Sequence, residues 1–124
     1  MKKLLLLLLL TCLTVHANVE FLNNNNFNNK ISKGIVVVEY WAEWNNVNKF
    51  KELKELKDCT VYRACIASCS DAAAKYKIKA IPTVIVYDNG EEVARFSPNI
   101  MLQLEATGKD VQSAIDEIVL NKFQ

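Results

Sequence analysis

The sequence is short of histidine and has no excess of charge of either sign. Its one histidine is His16, and only three cysteines follow it in the sequence. A structural zinc site needs four ligands, so these cysteines do not predict one. There are 15 Lys and Arg against 14 Asp and Glu, a net charge of +1, and nucleic-acid binding would need a basic patch or stripe. The lysine-rich stretch 49–57 is interleaved with glutamate, which is typical of a solvated helix face. We predict no metal, no cofactor and no nucleic-acid partner.

Internal repeats and a second domain are also missing from the sequence. Its 124 residues, 51% of them hydrophobic, are enough to bury one core. The only long apolar run, 4–15, is shorter than the roughly 20 residues that a membrane span needs. We therefore predict one domain that has no membrane association once the N-terminal segment is removed.

Residues 1–17 have the features of a signal peptide. Met1-Lys2-Lys3 is positively charged, the apolar run follows, and Val15-His16-Ala17 fits a cleavage site. We expect a mature chain of residues 18–124, exported to a periplasm, a secretory lumen or the extracellular space. The alternative is an uncleaved anchor or a lipid on Cys12. Cleavage leaves three cysteines, and an odd number in an oxidising compartment means that one thiol is free or pairs with another molecule.

Apolar periodicity predicts alternating strands and helices. The predicted strands are 19–22, 35–40, 61–66, 81–87 and 93–96, and the predicted helices are 27–32, 47–56, one capped by Ser70 and one capped by Thr107 and Asp110. The second helix rests on Val47, Phe50, Leu53 and Leu56, and Asp88-Asn89-Gly90 predicts a hairpin turn. This order implies an α/β fold with a mixed sheet and helices on both faces.

Two segments carry a resemblance to a known family. Val38-Glu39-Tyr40-Trp41-Ala42-Glu43-Trp44 resembles the strand that leads thioredoxins into their active site, and Tyr76-Lys77-Ile78-Lys79-Ala80-Ile81-Pro82-Thr83 resembles their proline loop. The resemblance implies a thioredoxin fold over residues 18–124 and a cis peptide bond before Pro82. It also places Glu39 where the family has a buried acid behind its cysteines; the alternative is a strand glutamate that reaches a polar partner or solvent.

The resemblance fails at the chemistry. Thioredoxins follow the tryptophan with Cys-Gly-Pro-Cys, whereas this chain has Asn45-Asn46-Val47-Asn48. Their reaction needs a thiolate of depressed pKa and a second, resolving thiol, and an asparagine amide supplies neither. We predict that Asn45 instead caps the following helix, and that neither Asn45 nor Asn48 is catalytic.

The remaining cysteines offer other routes to thiol chemistry. Cys65 and Cys69 are predicted to be a structural or free pair, with a local disulfide and a relocated redox pair as alternatives. A disulfide would need a tight turn between them, because bonded cysteines have Cα atoms about 4.4–6.8 Å apart. Cys59 has no evident partner in the sequence and is either a small buried residue or a link to a second copy.

An insertion follows Ser97, where the family has a short junction with a glycine. Pro98–Ala106 is apolar for a loop and includes Ile100, Met101 and Leu102. We expect it to pack on the core; the alternative is that it presents these side chains beside the peptide-binding groove.

Three functional hypotheses follow. The first is a non-catalytic module that binds a peptide or protein through Trp44, Asn45, Ile81-Pro82, Ile100 and Met101, because the family pairs substrate with the backbone beside the proline. The second is a thiol-disulfide oxidoreductase that uses Cys65 and Cys69. The third is a structural exported subunit cross-linked through Cys59. We favour the first, so enzymatic activity is not expected at the degenerate motif.

Overall fold

The computed structural model of the chain describes residues 18–124. The predicted signal peptide, with Cys12 and His16, therefore lies outside the described residues. None of the helices between residues 18 and 124 has the length and apolarity that a bilayer crossing requires.

Between residues 18 and 124 the chain forms five strands, three α-helices and two short 3-10 segments. The strands are β1 (Glu20–Leu22), β2 (Ile35–Trp41), β3 (Thr60–Cys65), β4 (Thr83–Asp88) and β5 (Glu91–Phe96). The helices are α1 (Phe27–Ile31), α2 (Ser70–Lys75) and α3 (Gly108–Asn121), and the 3-10 segments are Glu43–Asn48 and Leu53–Glu55.

The strands form one mixed sheet in the order β1-β3-β2-β4-β5. β3 is parallel to β1 and β2, whereas β4 is antiparallel to β2 and β5. Successive side chains of a strand point to opposite faces, so Val36 and Val38 pack in a cluster with Phe27 of α1, and Val37 packs in a second cluster with Val111 of α3. The predicted sheet with helices on both faces is confirmed.

The predicted helix over 47–56 is wrong. The two 3-10 segments take its place, and Lys49 between them is extended, with φ −57° and ψ 150°. Phe50 and Leu53 are buried, but Val47 is 79% exposed. An apolar residue at every third position matches the 3.0 residues per turn of a 3-10 helix better than the 3.6 of an α-helix.

The predicted cap of α2 is also wrong. Ser70 is the first helical residue, and the preceding Cys69 makes no side-chain cap bond. Asn24, from the asparagine-rich tract before α1, supplies the cap: its Oδ1 accepts from the Asp71 amide at 3.1 Å, and its Nδ2 donates to Ser70 Oγ at 3.3 Å. Because the capping residue lies 47 residues before the amide that it caps, the sequence next to the helix does not predict it.

Three local predictions are confirmed. Asn89 and Gly90 have φ of 50° and 85°, the left-handed values that a tight hairpin turn requires. The side chains of Thr107 and Asp110 form a reciprocal capping box at the start of α3. The peptide bond between Ile81 and Pro82 is cis.

The insertion Pro98–Ala106 forms an irregular loop that Asn99 organises. Asn99 Oδ1 accepts from the amides of Met101 and Gln103, at 2.9 and 3.1 Å. Ile100 is 98% exposed and Met101 is 68% exposed, so the expectation that the insertion packs on the core is wrong for both. Two asparagine-anchored hydrogen bonds bend the loop outward at these residues, and only Leu104 beyond the bend packs against the core.

Candidate functional site

A surface cavity of about 410 Å³ lies beside the bend that precedes the cis proline. Its lining includes Trp44 from the first 3-10 segment, Ile81 from the proline loop and Leu102 from the insertion. The remaining apolar side chains are those of Ile66, Ala73, Ile78 and Ala80. Trp44 is 68% exposed, so a large apolar surface is available to a partner.

Asn45 holds these three segments together. Its Nδ2 donates to the carbonyl oxygens of Ile81 at 3.2 Å and Leu102 at 3.0 Å, and its Oδ1 accepts from Asn48 Nδ2 at 2.8 Å. The predicted capping role of Asn45 is wrong, because its side-chain oxygen accepts from the Asn48 side chain and the 3-10 segment has no side-chain cap bond. The side chain points inward, where two carbonyl oxygens need a donor, and it is 7% exposed.

Leu102 has φ +56°, a left-handed conformation that is unfavourable for a leucine. Its amide donates to the Asn99 carbonyl at 3.0 Å, and its own carbonyl accepts from Asn45. The two bonds hold Leu102 in the cavity wall while Ile100 and Met101 project into solvent.

Glu39 is fully buried in the middle of β2. One carboxylate oxygen accepts from the Phe50 amide at 2.8 Å and the other from Arg63 Nε at 2.9 Å. Arg63 also donates to the Phe50 carbonyl at 3.3 Å, so the pair fastens the segment after the asparagine motif to the sheet. Burial raises the pKa of Glu39, and the Phe50 amide and the Arg63 guanidinium oppose that rise.

Comparison with known proteins identifies the family. The thioredoxin family model matches residues 18–110 of the chain. The chain belongs to the thioredoxin family. Among its relatives, the thioredoxins of Chlamydia trachomatis and Chlamydia pneumoniae are 30% and 31% identical over 83 residues, which are 62% of this chain and 81% of each relative.

Solved structures agree on the thioredoxin fold. A mutant thioredoxin from Halobacterium salinarum superposes with a TM-score of 0.63 at 17% identity, covering 81% of this chain and 89% of that one. A thioredoxin from Malassezia sympodialis gives a TM-score of 0.60 at 19% identity, covering 80% of this chain and 91% of that one. At these identities the likeness concerns the fold alone.

The three described cysteines of this thioredoxin domain are free thiols. Cys65 ends β3 and is paired in register with Trp41 of β2. Cys69 is buried, and its Sγ lies 3.1 Å from the carbonyl oxygen of Leu22. Burial raises the pKa of the Cys69 thiol to about 11, the opposite of what a nucleophilic thiolate needs.

Cys59 lies on the other side of the fold and is partly buried against the cluster that α3 covers. Burial, with the nearby Asp58, raises the pKa of its thiol to about 11. Across residues 18–124, no three His, Cys, Asp or Glu side chains are grouped so as to hold a metal ion.

The structure brings together some of the predicted site residues and separates others. Trp44 and Ile81 line the cavity, Asn45 braces it, and Pro82 is buried beside Ile81. Ile100 and Met101 lie on the adjoining loop without lining the cavity, and Cys65 and Cys69 do not line it either. Asn48 contributes through its bond to Asn45.

One contributor to the support of the site is absent from the sequence-based prediction, and a second appears there only as an alternative. Arg63, the partner of Glu39, had a usable signal: it lies directly opposite Glu39 in the parallel register of β2 and β3. Leu102 lines the cavity, as the alternative placement of the insertion predicts, but no local pattern predicts a leucine with positive φ whose carbonyl is bound by a distant asparagine.

Proposed function

We propose that the mature chain is an exported, non-catalytic thioredoxin-family domain that binds an extended segment of a peptide or protein partner. The proposal rests on the hydrogen bonds that the Asn45 side chain makes. This residue stands where the family resemblance places the first motif cysteine, and its amide is committed to bonds with Ile81, Leu102 and Asn48. The side chain braces the walls of an apolar cavity and has no nucleophilic chemistry to offer.

The backbone beside the cis proline supports binding of an extended segment. A carbonyl oxygen has two lone pairs, so the Ile81 carbonyl retains acceptor capacity for a partner amide beside the bond from Asn45. An apolar side chain of the partner would enter the cavity against Trp44 and Leu102. Such binding needs no cysteine.

A thiol-disulfide oxidoreductase that uses Cys65 and Cys69 is the second candidate. The relatives named thioredoxin favour a redox role, and the turn in which the Cys69 amide donates to the Cys65 carbonyl at 2.9 Å keeps the two residues close. The burial of Cys69 and its raised thiol pKa count against it. A cross-link to a second copy through Cys59 stays a prediction.

The proposed function predicts that Trp44→Ala removes peptide binding. Short peptides selected from a displayed random library against the purified protein serve as probes, and fluorescence anisotropy measures their affinity. Because Trp44 supplies an exposed aromatic wall of the cavity and aromatic side chains carry much of the binding energy at such interfaces, we expect affinity to fall at least about tenfold.

Val47→Ala is the matched control, since Val47 lies on the same 3-10 segment, is 79% exposed and does not line the cavity. It should leave affinity unchanged. Trp44 is exposed, so its replacement should also leave the urea unfolding curve unchanged. Selected peptides that bind Trp44→Ala as tightly as the unaltered protein would contradict the proposed function.

A further inference from the structure

A second surface depression, of about 580 Å³, adjoins the apolar cavity that Trp44 lines. The two share one wall, the dipeptide Lys79-Ala80 at the entrance to the proline loop. Their chemistry differs sharply, because the second depression is lined by Lys75, Lys77 and Lys79 together with an arginine.

The positive charge of this depression is only partly neutralised by the protein. Arg95 is paired with Glu92 through two hydrogen bonds, of 2.6 and 3.1 Å, so these two residues cancel. Within residues 18–124, Lys75, Lys77 and Lys79 take part in no salt bridge. All three lysines are exposed.

The charge is also local. The net charge of the whole sequence is only +1, so three unpaired lysines within five residues are a concentrated excess rather than part of a general basic character. Lys75 lies with Nζ 5.4 Å from the centre of the Tyr76 ring, which gives it an aromatic neighbour but no counter-charge. Opposite charge brought by a partner would satisfy this cluster.

We propose that the partner of the Trp44 cavity is an acidic peptide segment, in which one large apolar side chain is flanked by Asp or Glu. The apolar side chain enters the cavity, and the chain continues over Lys79-Ala80 so that its carboxylates meet Lys75, Lys77 and Lys79. This inference rests on the proposed function and adds the chemical class of the partner. Because the lysines are exposed, the charges contribute selectivity and a faster association more than raw affinity.

Four synthetic peptides of equal length test the proposal by anisotropy at low salt. One has a central leucine flanked by glutamates, the second has lysines in their place, the third has glutamines, and the fourth keeps the glutamates but replaces the leucine with serine. Each exposed ion pair strengthens binding about twofold, so three should favour the acidic peptide over the glutamine peptide by about tenfold. The lysine peptide should bind more weakly than both, and added salt should remove the difference.

The matched variants each change two exposed lysines to glutamine. Lys75→Gln/Lys77→Gln leaves Lys79 in the wall of the Trp44 cavity unchanged, so it should cut the preference for the acidic peptide to about twofold and leave binding of the glutamine peptide unaffected. Lys51→Gln/Lys54→Gln, on the segment between β2 and β3, should keep the full preference.

Each other outcome has a distinct meaning. If the acidic, glutamine and lysine peptides bind with equal affinity and Trp44→Ala removes that binding, the proposal of an acidic partner is overturned. The proposed function then stands. Failure of every leucine peptide to bind would overturn both. Binding of the serine peptide, or of a single-stranded oligonucleotide, as tight as that of the acidic leucine peptide would overturn the proposal, because it would show a general attraction for anions.

Discussion

We expect Arg63→Met to lower the free energy of unfolding by about 3 kcal/mol at pH 7, because breaking a buried ion pair leaves the other charge uncompensated. The Arg63 side chain is 13% exposed and its partner Glu39 is fully buried. The methionine keeps most of the aliphatic volume, so the loss reports on the charge rather than on a cavity. Urea unfolding followed by circular dichroism measures it.

The pH dependence of this loss follows from the carboxyl group. Burial raises the pKa of Glu39, so the folded state binds this proton more tightly than the unfolded chain does. The stability that the folded state gains by binding this proton is therefore fully present below the ordinary carboxyl pKa. It is lost as the pH rises through the raised pKa of Glu39. Without Arg63 the pKa rises further, so the difference between variant and unaltered protein should be largest at neutral pH and shrink on acidification.

The double variant Glu39→Gln/Arg63→Met is the control. The side-chain amide oxygen that replaces the Glu39 carboxylate can still accept from the Phe50 amide, and no buried charge remains. The double variant should therefore recover much of the lost stability. A destabilisation by Arg63→Met that is the same at acidic and neutral pH, or that the double variant does not relieve, would contradict the assigned ion pair.

Asn45→Ala should lower the free energy of unfolding by about 2 kcal/mol, because the carbonyl oxygens of Ile81 and Leu102 lose their donor. The same change should loosen the insertion, because Leu102 has an unfavourable left-handed backbone that this bond helps to hold. Urea unfolding gives the first effect. Faster amide hydrogen exchange over residues 98–106 gives the second.

Two further substitutions separate hydrogen bonding from packing at this position. Asn45→Asp has nearly the same shape but no donor, and it brings a negative charge towards two carbonyl oxygens, so it should be at least as destabilising as Asn45→Ala. Asn46→Ala removes a neighbouring exposed asparagine whose side chain accepts from the Trp41 indole, at 3.2 Å, and makes no bond to the cavity walls, so it should have little effect. A stable Asn45→Asp variant would contradict the bracing role of Asn45.

Features encoded by neighbouring residues were predictable from the sequence. The β-branched run of β2, the hairpin at Asp88-Asn89-Gly90 and the capping box at Thr107 each depend on side chains a few residues apart, and each was predicted correctly. The helix predicted over 47–56 failed because a spacing of three residues was interpreted as an α-helical period.

The site was less predictable because its bonds cross the chain. Asn45 has the residue type of a helix cap, but its donors reach Ile81 and Leu102, which are 36 and 57 residues away. Asn24 is a second example of a bond between residues distant in sequence, since it caps α2 through the Asp71 amide, 47 residues away. The family resemblance located Trp44 and Ile81 at the cavity, whereas the outward bend of the insertion depends on the hydrogen bonds that Asn99 makes.

The central claim is that the protein has no thiol-disulfide activity. A disulfide-reduction assay on the purified protein, run beside a thioredoxin that retains Cys-x-x-Cys, tests it most directly. A thiol count by mass spectrometry before and after reduction accompanies it. We predict no turnover above buffer and no change in Cys65→Ser. Turnover that disappears in Cys65→Ser, together with a reversible bond between Cys65 and Cys69, would contradict the proposal and establish the protein as an oxidoreductase.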